Sequence, residues 1–262
     1  LDDLPWVSRQ DLPFVQALGM SASIYSKRGC PFRCSFCGTG AVASLAGSAG
    51  FRERSPALVA EEIDMLVRDH RIEHLTIVDD LFLSTARPSK AWALEFADIM
   101  IRKRIRVPIM VDARVDSIDR EIFTRLHEAG LRKVFVGIES ASPDVLANVF
   151  NKSVSHNAVV SEKLRILEDI GIGVVPGMIL FHAETTATEL RANHELIRTV
   201  GYKNPHLFRR LLDAYPGTPI HKEYLDKGYI SERLETKWHF KDPLAELMYR
   251  RLSQETSATG ID

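Results

Sequence analysis

All three cysteines of the 262-residue chain lie within eight residues, in the run Cys30-Pro31-Phe32-Arg33-Cys34-Ser35-Phe36-Cys37. An odd, tightly clustered set is no disulfide framework, and no basic segment followed by an apolar one opens the chain. The expected compartment is therefore reducing, the cytoplasm. Three thiolates on one short loop can converge on a metal centre. A structural zinc site normally takes four protein ligands, and the nearest histidine in sequence is His70. Iron–sulfur clusters favour cysteine, and a four-iron cubane held by three thiolates leaves one iron open. An open iron can bind and activate a substrate, whereas a closed cluster mostly transfers electrons. On the residues alone, zinc and a plain electron-transfer cluster stand beside the open cluster as alternatives.

The elements that must position this loop read as alternating strands and helices. Apolar runs at 22–25, 75–78, 107–111, 134–138, 174–180 and 206–212 predict strands, with helical patterns over 56–69, 90–104, 119–129, 157–170 and 188–200. Each helix is long enough for a parallel crossover. Gly130 and Gly171 each follow a helix and precede a β-branched run, the expected helix-to-strand turn. Runs apolar on both faces belong in a parallel sheet covered by helices. The fold class expected is α/β, an open partial (β/α)6 TIM-like barrel with parallel strands, smaller than the eight-unit version. Pro176 cannot donate to a strand ladder, so a bulge or a late strand start is expected there. The Gly/Ala/Ser-rich stretch 38–50 reads as a mobile loop. The organisation expected is a linker at 1–20, a core barrel at 21–228 and an extension at 229–262. That extension holds an aromatic turn at Trp238-His239-Phe240, a short amphipathic helix at 244–252 and a polar tail from 254.

Reactive groups in parallel α/β barrels gather at the C-terminal ends of the strands. Here those ends read Val78-Asp79-Asp80, Asp112-Ala113-Arg114, Ile138-Glu139-Ser140 and Phe181-His182-Ala183-Glu184. Taken without a ligand, Asp80 could start a turn and Ser140 could cap the helix around Asp144.

Cys-x3-Cys-x2-Cys, with aromatic Phe36 just before the last cysteine, resembles the signature of the radical S-adenosylmethionine (radical SAM) enzymes. The resemblance implies that Cys30, Cys34 and Cys37 hold a [4Fe-4S] cluster whose open iron chelates the amino and carboxylate groups of S-adenosylmethionine. An electron from the cluster then gives a 5′-deoxyadenosyl radical. By the same resemblance, Asp79 and Asp80 support the ammonium, and Glu139 and Ser140 reach ribose and carboxylate. Arg114 is the candidate to pair with a carboxylate through parallel donors. Phe36 is counted with the cofactor-binding residues. Where relatives carry Gly-x-Pro-Gly-Glu-Thr, this chain has Phe181-His182-Ala183-Glu184-Thr185-Thr186; Glu184-Thr185 match and the glycines do not, so no adenine contact is assigned to that loop. His182 becomes a candidate to face substrate. The other eight histidines show no ligand spacing.

No cysteine remains for an auxiliary cluster, a methylated cysteine or a cysteine hydrogen donor. Hydrogen return, where needed, falls to deoxyadenosine, solvent, a cofactor or a tyrosine such as Tyr25 or Tyr215. Leu1-Asp2-Asp3-Leu4-Pro5, Phe51-Arg52-Glu53-Arg54-Ser55-Pro56 and Tyr215-Pro216-Gly217-Thr218-Pro219 look like the cobalamin-dependent subgroup. Together with a first residue that is not Met, they lead us to expect a cobalamin-binding domain upstream. The implied function is cobalamin-dependent methyl transfer to an unactivated carbon of a small metabolite. The first alternative is cobalamin-independent hydrogen abstraction leading to rearrangement, decarboxylation or cyclisation, and the second is a non-catalytic iron–sulfur or zinc scaffold. The implied partners are a small-molecule substrate and an electron donor such as a flavodoxin or ferredoxin. With 34 Lys+Arg against 35 Asp+Glu and no long apolar run, neither nucleic acid nor membrane is indicated.

Overall fold

The computed structural model describes residues 1–47, 50–152, 157–202, 210–231 and 238–258. In chain order the elements are α1 (Leu12–Ala17), β1 (Ala22–Ile24), β2 (Lys27–Arg28), α2 (Gly38–Leu45), β3 (Arg52–Glu53), α3 (Pro56–His70), β4 (Leu75–Ile77) and α4 (Arg87–Lys103). There follow β5 (Ile109–Arg114), α5 (Arg120–Glu128), β6 (Leu131–Glu139), α6 (Asn157–Ile170), β7 (Gly173–Met178), α7 (Ala187–Thr199), α8 (Pro219–Asp226) and α9 (Pro243–Ala258). They fall into two compact units, one of residues 1–31, 50–137 and 162–176, the other of 32–49, 138–161 and 177–262.

The first unit is built on the five-stranded sheet of order β1-β4-β5-β6-β7, beside which β2 and β3 form a short antiparallel pair. The pairings β1–β4, β4–β5 and β5–β6 are parallel, as expected for α/β crossovers. Sequential parallel strands need right-handed crossovers, and these put α3, α4 and α5 on one face of the sheet. The side chains on that face, Ile24, Ile77, Val111, Val134 and Val136, are buried. Among the described residues the sheet does not close into a barrel.

Local sequence starts and stops the helices. Ser55 accepts from the Leu58 amide (3.4 Å) at the start of α3, and Asp119 from the Ile122 amide (3.3 Å) at the start of α5. Such caps satisfy amides that have no partner inside the helix. Gly130 and Gly171 take positive φ at the two predicted turns (118° and 88°). A Cβ on Gly130 would stand 2.5 Å from the Val107 carbonyl oxygen, so only glycine fits there.

Three expectations are corrected. Residues 38–45 of the presumed mobile loop form helix α2, which starts after the extended Cys37 and in which Ala, Val and Leu outweigh the two glycines. β7 starts at Gly173 and includes Pro176, so the strand does not start late. The terminal helix is longer than 244–252 and reaches Ala258 through part of the presumed polar tail. Of the sixth expected strand, 206–212, residues 206–209 lie outside the described residues; in its described part Leu211 makes a parallel bridge to Phe181.

The second unit has its own core, in which Phe150, Ala183, Leu212, Ile220 and Tyr224 are buried together with Phe36 and Trp238 against them. Tyr249 of α9 packs on Phe181 (centroids 5.2 Å apart) and on Phe240 (5.5 Å). No helix among the described residues is long and apolar enough to cross a membrane.

Candidate functional site

The cysteine loop leaves β2 and is held from both of its ends. Gly29 has φ +82°, and a Cβ there would meet the Gly50 carbonyl oxygen at 2.8 Å. Its amide donates to the Asp80 carboxylate (2.9 Å). Beyond Cys30, the buried Ser35 donates its amide to the Phe150 carbonyl (2.9 Å) and its hydroxyl to that of Val149 (2.5 Å). The Ser35 carbonyl accepts from the Ile220 amide (3.1 Å), and Asn151 donates to the Arg33 carbonyl (2.8 Å). The Cys37 amide closes a turn on the Cys34 carbonyl (3.2 Å). Phe36 meets Phe150 edge-on at 5.3 Å.

No disulfide ties Cys30, Cys34 or Cys37, and all three are partly buried. Among the described residues, no group of three or more His, Cys, Asp or Glu side chains is close enough to hold a single metal ion. A cubane instead takes one thiolate on each of three separate irons. Three soft thiolates on a backbone-pinned loop, with no histidine or carboxylate completing a four-ligand set, fit that group by the chemistry of the donors.

Asp79 follows β4 and is spent on the backbone that leads into the loop. Its carboxylate accepts from the amides of Ser26 (2.7 Å) and Lys27 (2.9 Å) and from the Ser26 hydroxyl. Burial raises its pKa from the ordinary 3.8 to about 6, against the pull of those three donors and the Lys27 charge. Asp80 meets the loop itself, at Gly29. Sequence reasoning took the two as equivalent, but the structure gives them different jobs.

Lys27 is the residue that sequence reasoning missed. Its ammonium is buried 4.0 Å from the Trp92 ring centroid, donates to the Phe82 carbonyl (2.8 Å) and pairs with Glu53 on β3 (2.9 Å). Burial lowers its pKa, and the neighbouring carboxylates of Glu53 and Asp79 oppose that. Its one sequence signal is its place just before Arg28-Gly29-Cys30.

Arg114 ends β5 as a buried side chain, its guanidinium turned to Asp116 (3.0 and 2.8 Å) in a fork-to-carboxylate pair. Glu139 ends β6 with φ +70°, a left-handed backbone that costs a non-glycine residue about 1–2 kcal/mol. Strain of this kind persists only where the surroundings over-determine it. Here Lys152 holds the Glu139 carboxylate (2.8 Å), and the Glu139 carbonyl accepts from the Ile179 amide (2.8 Å). Ser140 is buried and does not cap a helix. It contacts Glu189 (3.1 Å) and Asn193 (3.3 Å) of α7, while Asn193 also accepts from the Ala141 amide (2.6 Å). His182 belongs to the same buried network, bridging Glu189 (3.1 Å) and the Tyr224 hydroxyl (3.1 Å) with no exposed surface. Its ring is packed between these partners and Phe150, without contact to solvent.

The sequence pattern of the Radical SAM superfamily matches residues 24–195. The chain is 22% identical over 252 residues to an uncharacterized methyltransferase of Pyrococcus horikoshii, covering 95% of this chain and 52% of that protein. It is 26% identical over 237 residues to the anaerobic magnesium-protoporphyrin IX monomethyl ester cyclase of Cereibacter sphaeroides, covering 87% of this chain and 36% of that one. It shares its fold with TsrM from Kitasatospora setae, a radical S-adenosylmethionine methyltransferase solved with cobalamin and a [4Fe-4S] cluster. That match has a TM-score of 0.65 at 21% identity, over 79% of this chain and 40% of that one. The chain thus spans about half or less of the length of the proteins it matches. By the extent of the family match and the cysteine loop inside it, this chain belongs to the radical SAM superfamily.

Proposed function

We propose that this chain is the radical-generating part of an enzyme that methylates an unactivated carbon of a small molecule with the help of cobalamin. The observation that carries the reading is the Cys30-x3-Cys34-x2-Cys37 loop, pinned at Gly29 by Asp80 and at Ser35 by backbone partners. Bound by these three thiolates, a [4Fe-4S] cluster supplies the electron for reductive cleavage of S-adenosylmethionine. Asp79 positions the entry to the loop. Asp80, Arg114, Glu139 and Ser140 are the proposed S-adenosylmethionine residues, with Phe36 beside the last cysteine. Arg114 and Glu139 reach the strand ends already oriented by Asp116 and Lys152, so little side-chain freedom is lost when a ligand binds. Thiols without disulfides fit the reducing cytoplasm, and the electron would come from a flavodoxin- or ferredoxin-type donor. The organisation we propose is a linker at 1–20, a core at 21–228 and an extension at 229–262.

The match to a ring-closing enzyme favours one second reading, hydrogen abstraction leading to cyclisation without cobalamin. Both are tested on protein reconstituted anaerobically with iron and sulfide and then reduced with S-adenosylmethionine. 5′-Deoxyadenosine and S-adenosylhomocysteine are quantified with and without cobalamin. Methyl transfer predicts both products, the second only with cobalamin; deoxyadenosine alone, indifferent to cobalamin, selects the second reading. Cys34→Ala abolishes deoxyadenosine under either. A protein that loads iron yet neither binds nor cleaves S-adenosylmethionine is a scaffold, and both readings fall.

A further inference from the structure

The crossover helices cover one face of the sheet in the first unit; on the other face several described side chains are half-buried or exposed. On it the registers place Ser23 beside Thr76 and Thr76 beside Met110, and in the next row Asp112 beside Phe135. Thr76, Met110 and Phe135 are half-buried, and Asp112 is exposed. Its main-chain carbonyl accepts from the Phe82 amide (3.4 Å). Among the described residues, however, no hydrogen bond or ion pair engages its carboxylate. The basic residue in register on this face, Lys133 opposite Met110, makes no ion pair with it.

A carboxylate in mid-sheet, with a phenylalanine and a methionine as neighbours, is costly unless something pairs with it. Solvent reaches it, yet the surrounding protein desolvates it enough to raise its pKa. Arg114, two residues on and on the same face, satisfies its fork on Asp116 and leaves Asp112 unneutralised. Every other strand-end carboxylate has a donor: Asp79 the Ser26 and Lys27 amides, Asp80 the Gly29 amide, Glu139 the Lys152 ammonium. Asp112 is the exception, and it points away from the helices.

We propose that Asp112 is a substrate-binding residue, accepting from an amine or hydroxyl carried on an otherwise apolar substrate whose body lies against Met110 and Phe135. It rests on the radical-enzyme reading only in naming the ligand a substrate. The chemistry asks for one donor group on a hydrophobic skeleton, and it disfavours an anion.

The test uses the full chain and three probes of one shape: 1-naphthylmethylamine, 1-naphthalenemethanol and 1-naphthoate, each titrated by fluorescence. The expected order of affinity is amine, then alcohol, then carboxylate. Asp112→Asn should lower amine affinity about tenfold or more, the usual scale for a hydrogen bond to a charged group. Phe135→Ala should weaken all three probes alike. Binding of S-adenosylmethionine should stay unchanged in Asp112→Asn and the thermal midpoint should not fall, since the carboxylate holds nothing in the fold. An amine preference that survives Asp112→Asn, or wild-type protein that binds no probe, overturns the proposal. Loss of S-adenosylmethionine binding in that variant moves Asp112 to the cofactor and overturns it too. Failure of the radical reading registers elsewhere, as missing deoxyadenosine.

Discussion

Replacing Asp79 with alanine isolates the clamp that holds the entry to the cysteine loop. The carboxylate takes up two buried amides and one buried hydroxyl, from Ser26 and Lys27. Orphaning a buried donor costs about 1–3 kcal/mol, so the two amides and the hydroxyl together are worth about 5 kcal/mol. Against this stands the cost of keeping the charge buried. A pKa raised from 3.8 to about 6 makes the ionised form about 3 kcal/mol less favourable than in water. The net loss at pH 7 is therefore about 2 kcal/mol, a fall of about 4–8 °C in thermal midpoint for a chain of this size.

The pH dependence follows in sign. Between about pH 4 and pH 6 the folded protein keeps a proton on Asp79 that the unfolded chain has released. The contribution of Asp79 to stability is greatest at the acid end, declines as pH rises to about 6 and is level above. Asp79→Ala should thus cost more at pH 4.5, about 4 kcal/mol, than at pH 7, and it should lack that part of the slope. Thermal unfolding followed by circular dichroism from pH 4.5 to 8 measures both. A variant as stable as wild type at pH 4.5, where most of the offset has gone, refutes the clamp. Because the clamp ends three residues before Cys30, iron retained after reconstitution should fall as well.

Gly29→Ala combines a φ of +82° with a Cβ 2.8 Å from the Gly50 carbonyl oxygen. It should cost about 2 kcal/mol or more and lower iron loading, measured by unfolding and by iron assay. Tyr224→Phe removes the hydroxyl paired with His182 Nδ1. A loss of about 1 kcal/mol is expected with S-adenosylmethionine affinity unchanged; an affinity loss without a stability loss would place His182 in the site after all.

Much of this molecule is written locally. The cysteine spacing is a property of eight consecutive residues, and α3, α5, α6 and α7 came within a few residues of their expected spans, because caps, glycine turns and apolar period are local codes. Asp79 and Asp80 are adjacent and chemically identical, and only the fold gives one to the Ser26 and Lys27 amides and the other to Gly29. Lys27 reads as a surface lysine until Trp92, 65 positions later, closes over it. His182 reads as a free base until Glu189 and Tyr224 bury it. Sheet register likewise decides that Asp112 stands beside Phe135 on the face away from the helices. Short-range chemistry, backbone preference and ligand type are carried by neighbouring residues. Which polar group is satisfied, and by what, depends on segments brought together from distant parts of the chain, and that only the tertiary structure decided.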